Sequence, residues 1–307
     1  MESSIIFMGT PEFAVPTLEF IHKRIGIKAV VTVPDKPQGR GLKLKASPVK
    51  EKALELKIPV LQPESLKDEN FIKELKDLSP DIIVVIAFRI LPPQVYNLAR
   101  IGTFNVHASL LPKYRGAAPI NWAIINGDEE TGLTSFLIQE KVDTGDILLQ
   151  QRIKIEENMT AGELHDKLMN IAPQFTLDTC NLLFSGKYFT QKQDNSQVTS
   201  APKIHPDFCK INWQNDARTI RNFIHGLSPY PGAWTLWNEK RLKILKVEYC
   251  QCGTGETASF TIGESFFNVQ CAKGIISITH LQLEGRNPMP IKDFINGFRG
   301  EKYGKFS

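Results

Sequence analysis

Three side chains in the middle of the sequence have the types and spacing needed for acyl transfer: Asn105, His107 and Asp143. Asn105 and His107 are two residues apart at the end of a short apolar run, so on a β-strand both side chains lie on one face. Asp143 follows in a glycine-containing loop. An amide and a protonated imidazole can both donate hydrogen bonds to a tetrahedral oxyanion. A carboxylate beside the ring favours its protonated form, orients it and helps to carry a proton.

The sequence offers no serine or cysteine nucleophile of the Gly-x-Ser-x-Gly kind. The nucleophile for acyl transfer would therefore come from a substrate. The structural alternative is that Asn105 forms a turn and that His107 is a hydrogen-bonded histidine at a strand end, which is the usual role of an isolated Asn-x-His.

An open parallel sheet would present these groups, because ligands bind beyond the carboxyl ends of its strands. Apolar runs typical of buried strands occur at 5–8, 27–33, 82–86 and 102–107, and stretches with helical periodicity alternate with them. This alternation predicts an α/β fold with a doubly wound, mostly parallel sheet over residues 1–190. The Gly-x-Gly-x-x-Gly fingerprint is absent after the first strand, so no dinucleotide cofactor is predicted.

The sequence changes character near residue 191. Residues 191–205 are polar and are predicted to form a linker. A predicted helix then precedes five short strand-like runs, at 233–237, 242–247, 258–262, 266–270 and 275–283. They predict a small C-terminal β-barrel of the oligonucleotide-binding type over residues 206–307. Such barrels often bind nucleic acid, although a fold does not fix a function.

Basic residues are concentrated in two places. The net charge is +4, and residues 204–307 account for it with 13 Lys and Arg against 9 Asp and Glu. The second place is the Gly- and Pro-rich stretch 34–46, which we predict to be an exposed, mobile loop and which contains Arg40, Lys43 and Lys45. A polyanionic partner would select this distribution, and solubility is the alternative reason for scattered lysines.

The composition is typical of a globular protein, with 42% hydrophobic and 23% charged residues. No apolar run is long enough to span a bilayer, and the first residues lack the basic segment of a leader. We therefore expect a cytoplasmic location without membrane association. The five cysteines are odd in number and lack paired metal-ligand spacing, so we predict free thiols and no metal.

Several motifs, in order along the chain, resemble those of one family. Asn-Val-His-Ala-Ser-Leu-Leu-Pro (105–112), Arg-Gly-Ala-Ala-Pro-Ile (115–120) and Val-Asp-Thr-Gly-Asp-Ile (142–147) resemble the folate-dependent formyltransferases. Gly-Thr-Pro-Glu-Phe-Ala (9–14) and Pro-Asp-Lys-Pro-Gln-Gly-Arg-Gly (34–41) are similar to the branch of that family that formylates initiator methionyl-tRNA. The resemblance spans essentially the whole chain.

The resemblance implies a Rossmann-like catalytic domain that transfers a formyl group from 10-formyltetrahydrofolate to the α-amine of methionyl-initiator-tRNA, without a metal. It implies that Asn105 and His107 stabilise the oxyanion and that Asp143 sets the protonation state of His107. A monomer is expected.

The resemblance also implies two sets of binding residues. Folate contacts are expected from the loop after the catalytic strand and from the bend after 82–86, namely Ser109, Leu110, Leu111, Pro112, Phe88 and Ile90. That branch more often has Tyr-Gly where this sequence has Phe88-Arg89. Contacts with the tRNA acceptor stem are expected from Arg40, Lys43 and Lys45.

Several other functions remain open from the sequence. The same chemistry could act on a nucleotide-linked amino sugar, and the basic loop and the C-terminal barrel argue against that acceptor. The glycinamide-ribonucleotide branch lacks a second domain of this kind. A folate- or RNA-binding module without catalysis conflicts with the intact Asn, His and Asp trio, and a nicotinamide oxidoreductase conflicts with the missing glycine fingerprint.

Overall fold

The computed structural model describes residues 4–38, 43–253 and 255–306. The chain forms two compact units. The first unit comprises Met1–Gly116, Gly132–Ile153 and His165–Ser200, and the second comprises Ala117–Thr131, Lys154–Leu164 and Ala201–Ser307. The chain thus crosses from one unit to the other repeatedly. The predicted domain boundaries at 190 and 205 stay a prediction.

The strands of the first unit follow the apolar runs of the sequence. Among the described residues up to 154 they are β1 (Ile5–Gly9), β2 (Ala29–Val31), β3 (Lys36–Gln38), β4 (Lys43–Lys45), β5 (Val60–Leu61), β6 (Ile82–Ile86), β7 (Gly102–His107), β8 (Arg115–Gly116), β9 (Glu130–Leu137) and β10 (Ile147–Lys154). Strands β1 and β6 are buried along their whole length, because helices of a doubly wound fold cover both faces of the sheet.

The main sheet has the strand order β10-β9-β7-β6-β1-β2-β5. Strands β5, β2, β1, β6 and β7 pair in parallel, and β9 runs antiparallel to β7. The predicted mostly parallel sheet is therefore confirmed. Strand β7 lies inside it, and its carboxyl end carries Asn105 and His107, as the two-residue spacing predicts.

Two of the helices begin at capping signals that the sequence contains. In the described part of the chain they are α1 (Val15–Ile25), α2 (Pro48–Glu55), α3 (Glu69–Asp77), α4 (Pro93–Tyr96), α5 (Pro119–Ile125), α6 (Ala161–Ser185), α7 (Ala217–Gly226) and α8 (Ile291–Gly297). At the start of α2, Ser47 Oγ accepts a hydrogen bond from the Lys50 amide at 3.1 Å. Before α6, Thr160 and Glu163 form a capping box, which the Thr-x-x-Glu spacing in the sequence indicates.

The basic stretch 34–46 contains a hairpin where the sequence predicts a mobile loop. Strands β3 and β4 pair antiparallel. The side chains described in them, at 36, 37, 44 and 45, are exposed, and the stretch lacks the apolar alternation that predicts strands. Asp35 anchors its base by accepting hydrogen bonds from Lys50 Nζ at 2.7 Å and Gln62 Nε2 at 2.9 Å.

The second unit is built on an antiparallel sheet. After β11 (Ser200–Ala201), its strands are β12 (Ala233–Trp237), β13 (Lys240–Cys250), β14 (Ser259–Ile262), β15 (Phe267–Gln270), β16 (Ile275–Leu283), β17 (Met289–Pro290) and β18 (Tyr303–Lys305). The order is β12-β13-β16-β15-β14-β18, with β17 beside β16. The ring of Trp237 on β12 contacts Phe260 and Phe306, so the sheet curls into a half-barrel, which confirms the predicted fold. The sequence did not predict α8, β17 or β18.

A fully buried histidine joins α7 to this sheet. His225 Nε2 lies 3.1 Å from both the amide nitrogen and the carbonyl oxygen of Val247. The pairing of β13 with β16 shifts register on either side of Lys246, so the ring meets backbone groups at an irregularity of the ladder. His225 Nδ1 is buried without a hydrogen-bond partner among the described residues.

The cysteines differ from the prediction of free thiols. Cys250 and Cys252, at the end of β13, form a disulfide with a Cα–Cα distance of 5.4 Å, because the chain turns as the strand ends and brings the two sulfurs together. Cys180, Cys209 and Cys271 are free and buried. Burial raises the pKa of the Cys180 thiol to about 12, so this thiol stays protonated and unreactive at neutral pH.

Candidate active site

Asn105 is held in the middle of the main sheet with its carboxamide unused. Its backbone pairs with Val85 on one side and Phe136 on the other. The side-chain Oδ1 is buried and has no hydrogen-bond partner within the described residues. A buried amide oxygen without a partner is uncommon and costs about 1–3 kcal/mol. Asn105 therefore has unused hydrogen-bonding capacity at the carboxyl end of β7.

The ring of His107 is fixed by one hydrogen bond. Its Nε2 lies 2.8 Å from the backbone oxygen of Tyr114. Because a carbonyl oxygen only accepts hydrogen bonds, Nε2 carries a hydrogen in both the neutral and the protonated ring. The proton that the ring gains or loses therefore sits on Nδ1, which is the nitrogen left to meet a substrate.

Asp143 lies beside that nitrogen. Its Oδ2 is 4.0 Å from His107 Nδ1, which is beyond hydrogen-bond distance. The same oxygen accepts a hydrogen bond from the Gly116 amide at 2.9 Å. Asp143 is 9% exposed and has a φ of 54°, in the left-handed region that non-glycine residues rarely adopt.

The loop after β7 is clamped onto the neighbouring strands. Thr134 Oγ1 donates to the carbonyl of Ser109 at 2.7 Å and accepts from the amide of Leu111 at 3.0 Å. Gln150 Nε2 donates to the carbonyl of Leu111 at 2.8 Å. These contacts fix the backbone on which four predicted folate-binding residues lie.

Those four residues are placed differently from one another. Ser109 is fully buried and its hydroxyl donates to the Lys113 carbonyl at 2.6 Å. Leu111 packs in an apolar cluster with Phe136 and Ile147. The side chains of Leu110 and Pro112 are partly exposed. The geometry thus gives Ser109 a role in shaping the loop, and Leu110 and Pro112 are the members of the set with side-chain surface left for a ligand.

The bend after β6 carries the other predicted folate contacts. Ala87 has a φ of 47°, so the chain turns sharply there. Phe88 is half-buried and packs against the apolar core, whereas Ile90 is 73% exposed. The guanidinium of Arg89 lies 5.2 Å from the centroid of the Phe88 ring, and burial lowers the pKa of that guanidinium.

The predicted tRNA contacts belong to the basic stretch that contains β3 and β4. Lys45 is exposed on β4. Lys43 begins β4, and its side chain is not among those described. Arg40 lies outside the described residues. The structure therefore places one of the three basic side chains on the surface and leaves the roles of all three as predictions.

Comparison with known proteins identifies the family. The formyl transferase family matches residues 3–179, and the formyl transferase C-terminal domain matches residues 203–299. The chain belongs to the formyl transferase family. The methionyl-tRNA formyltransferase of Caldanaerobacter subterraneus subsp. tengcongensis is 46% identical over 297 residues, which cover 95% of this chain and 96% of that protein. The methionyl-tRNA formyltransferase of Flavobacterium johnsoniae is 44% identical over 300 residues, 95% of each chain.

Solved formyl transferase structures share the fold. WlaRD, a sugar 3N-formyl transferase crystallised in the presence of dTDP and 5-N-formyl-THF, superposes with a TM-score of 0.68 at 21% identity, covering 94% of this chain and 100% of that chain. HypX from Aquifex aeolicus in complex with tetrahydrofolic acid gives a TM-score of 0.64 at 14% identity, covering 97% of this chain and 47% of that chain. At these identities the similarity establishes the fold alone.

Sequence reasoning missed several residues that support the formyl transferase site. Tyr114 and Gly116 hold His107 and Asp143 through backbone groups, and backbone contacts leave no signal in side-chain type. Gln193 and Thr199 lie in the stretch predicted to be a linker and yet contact the site loops. The sequence around them is polar, and because linkers and hydrogen-bonded loops are both polar, composition alone does not distinguish the two.

The described part of this formyl transferase contains no cluster of three or more His, Cys, Asp or Glu side chains that could hold a metal ion. No helix in the same residues is both long enough and apolar enough to cross a bilayer.

Proposed function

We propose that this formyl transferase moves a formyl group from 10-formyltetrahydrofolate to the α-amine of methionyl-initiator-tRNA. The observation that carries the proposal is that Asn105, whose buried Oδ1 has no partner among the described residues, shares the carboxyl end of β7 with His107, whose Nδ1 faces the Asp143 carboxylate at 4.0 Å. Relatives that share 44–46% identity over almost the whole chain are methionyl-tRNA formyltransferases, and this supports the acceptor.

The folate supplies the formyl group, and the residues of this chain stabilise its transfer. The amine of the acceptor attacks the formyl carbon directly, because the site has no protein nucleophile. Asn105 Nδ2 and the Nδ1 hydrogen of protonated His107 donate to the oxygen on which negative charge develops. His107 Nε2 cannot take this role, since it donates to the Tyr114 carbonyl.

Asp143 lies beside the nitrogen that donates. Its carboxylate faces His107 Nδ1 at 4.0 Å. Asp143 also helps to take the proton that the attacking amine loses and to pass it towards the folate nitrogen that leaves. Preorganised donors and proton transfer each contribute about 10²–10⁴-fold to such reactions.

The test is an acceptor assay with the purified protein. We expect N-formylated methionyl-tRNA from 10-formyltetrahydrofolate and methionyl-initiator-tRNA, and turnover lower by about 10²–10⁴-fold in Asn105→Ala, His107→Asn and Asp143→Asn. His280→Asn is the matched control, because His280 is an exposed histidine on β16. Near-normal turnover in all three site variants would overturn the assigned roles.

A parallel reaction with a dTDP-linked amino sugar tests the alternative acceptor. The sugar 3N-formyl transferase WlaRD shares the fold at 21% identity, and the N-formyltransferase from Helicobacter canadensis in complex with folinic acid and dTDP-3-aminofucose shares it at 23% identity. Formyl transfer in the sugar reaction alone would leave the Asn105, His107 and Asp143 mechanism standing and would refute the tRNA acceptor.

A further inference from the structure

The segment between the two family matches contacts the candidate active site. The matches end at residue 179 and resume at residue 203, and the sequence predicts a linker over 191–205. We propose that Gln193 and Thr199 are positioning residues of the active site of this formyl transferase: Gln193 positions Asp143, and Thr199 positions His107. This inference rests on the function proposed above.

The amide of Gln193 bridges two loops with all of its hydrogen-bonding capacity. Its Oε1 accepts from Arg115 Nε at 3.0 Å and from Arg115 Nη2 at 2.7 Å. Its Nε2 donates to the carbonyls of Asp143 at 3.0 Å and Gly145 at 2.8 Å. An amide has two donors and a doubly accepting oxygen, so both ends of Gln193 are used and its orientation is fixed.

This bridge acts on the backbone that carries the carboxylate. Asp143 has a φ of 54°, a conformation that surrounding contacts must maintain. Gln193 holds the carbonyl of Asp143, and the Gly116 amide holds its Oδ2. The adjacent residues Arg115 and Gly116 therefore hold Asp143 in two ways. Gly116 contacts the carboxylate directly, and Arg115 acts through Gln193.

Thr199 performs the corresponding task for the histidine. Its Oγ1 accepts a hydrogen bond from the Tyr114 amide at 2.8 Å, and its carbonyl accepts one from the Arg115 amide at 2.9 Å. The Tyr114 carbonyl in turn accepts the hydrogen bond of His107 Nε2. One segment therefore sets the backbone groups on which both members of the His107–Asp143 pair rest.

Because the segment is exposed, substitutions in it should affect the rate of the reaction more than the stability of the fold. Residues 194–200 are exposed and Gln193 is partly exposed, so the segment buries little apolar surface. The side-chain hydrogen bonds of Gln193 and Thr199 end on the site loops. Misplacement of a reacting group by about 1 Å costs up to about 100-fold in rate, whereas loss of a partly exposed hydrogen bond has a modest effect on stability.

The decisive experiment compares Gln193→Met in two backgrounds. The variant keeps the length of the side chain and removes its hydrogen bonds. We expect single-turnover formyl transfer about 10- to 100-fold slower in the wild-type background, and under about 3-fold slower in Asp143→Asn, since the carboxylate to be positioned is then absent. Gln197→Met is the matched control, because Gln197 bonds only locally to Asp194, and it should match the wild type.

Equal losses in both backgrounds would overturn the inference, because a general structural defect does not depend on Asp143. If Gln193→Met is unfolded at the assay temperature, Gln193→Glu replaces it, since Glu retains the acceptor for Arg115 and removes both donors. Thr199→Val should slow the reaction and Thr199→Ser should restore it. An inactive wild type would refute the proposed function, whereas an active wild type with unimpaired Gln193 and Thr199 variants would refute this inference alone.

Discussion

Acidification should destabilise the second unit through one buried histidine. His225 is fully buried between α7 and β13. Burial is the main cause that lowers the pKa of His225 from 6.5 to about 4, and the positive charges of Arg221 and Lys246 act in the same direction. The hydrogen bond to Val247 opposes the shift and does not cancel it. A protonated ring would place a charge and an unpaired Nδ1 donor in an apolar interior.

The sign follows from the order of the two pKa values. Below pH 6.5 the unfolded chain binds a proton at His225, whereas the folded chain binds it only near pH 4. The free energy of unfolding therefore falls as the pH is lowered through this window and is fully retained above it. At about 1.4 kcal/mol for each pH unit of separation, the loss is about 3 kcal/mol in total.

Tryptophan fluorescence can measure this effect in the relevant unit. All four tryptophans belong to segments of the second unit: Trp122, Trp213, Trp234 and Trp237. Urea unfolding at about pH 7 and about pH 4.5 should give a loss that is about 2–3 kcal/mol larger in the wild type than in His225→Gln, which cannot titrate. Replacement of the exposed His280 by Gln is the control. An equal loss in the wild type and His225→Gln would refute the reasoning.

Two further predictions concern the site and the acceptor. A Cβ on the buried Gly145 would collide with the Leu137 carbonyl, so Gly145→Ala should displace the loop that carries Asp143. The rate of formyl transfer should fall about 10-fold or more, and the free energy of unfolding in urea should fall by about 1–3 kcal/mol. Gly297 has open space around it, so the control variant Gly297→Ala should change neither quantity. Arg40→Ala should weaken methionyl-tRNA binding at fixed salt. It should also reduce the slope of the logarithm of the binding constant against the logarithm of the salt concentration by about 1. The surface variant Lys67→Ala is the control, and a slope for Arg40→Ala equal to that of the control would contradict a phosphate contact.

The elements that position the site could be predicted because their cause is local. Apolar β-branched runs specify β6, and the apolar run ending in Asn105 and His107 specifies β7. Ser47 with Pro48 specifies the start of α2. In each case the residues that form the element also carry the signal for it.

The remaining features depend on partners that are distant in sequence. The role of Gln193 depends on Arg115 and on a backbone carbonyl at residue 143, and neither contact can be inferred from the polar stretch around it. The β3–β4 hairpin forms without apolar alternation, and β18 is a three-residue edge strand specified by pairing with β14. Where the local propensity for a secondary structure is weak, contacts with distant parts of the chain thus determine which structure forms.

The repeated crossing of the chain between the two units limits how acceptor specificity could be transplanted. Residues 117–131 and 154–164 belong to the second unit, where Asn121 Nδ2 donates to the Gly226 carbonyl at 2.7 Å and Lys246 Nζ donates to Glu163 at 2.8 Å. A chimaera joined at one point near residue 200 would pair a foreign C-terminal sheet with these two native segments. Exchange of the second unit between relatives therefore requires the replacement of all three of its chain segments together. The same constraint applies to the origin of this unit by fusion of one gene to the end of another.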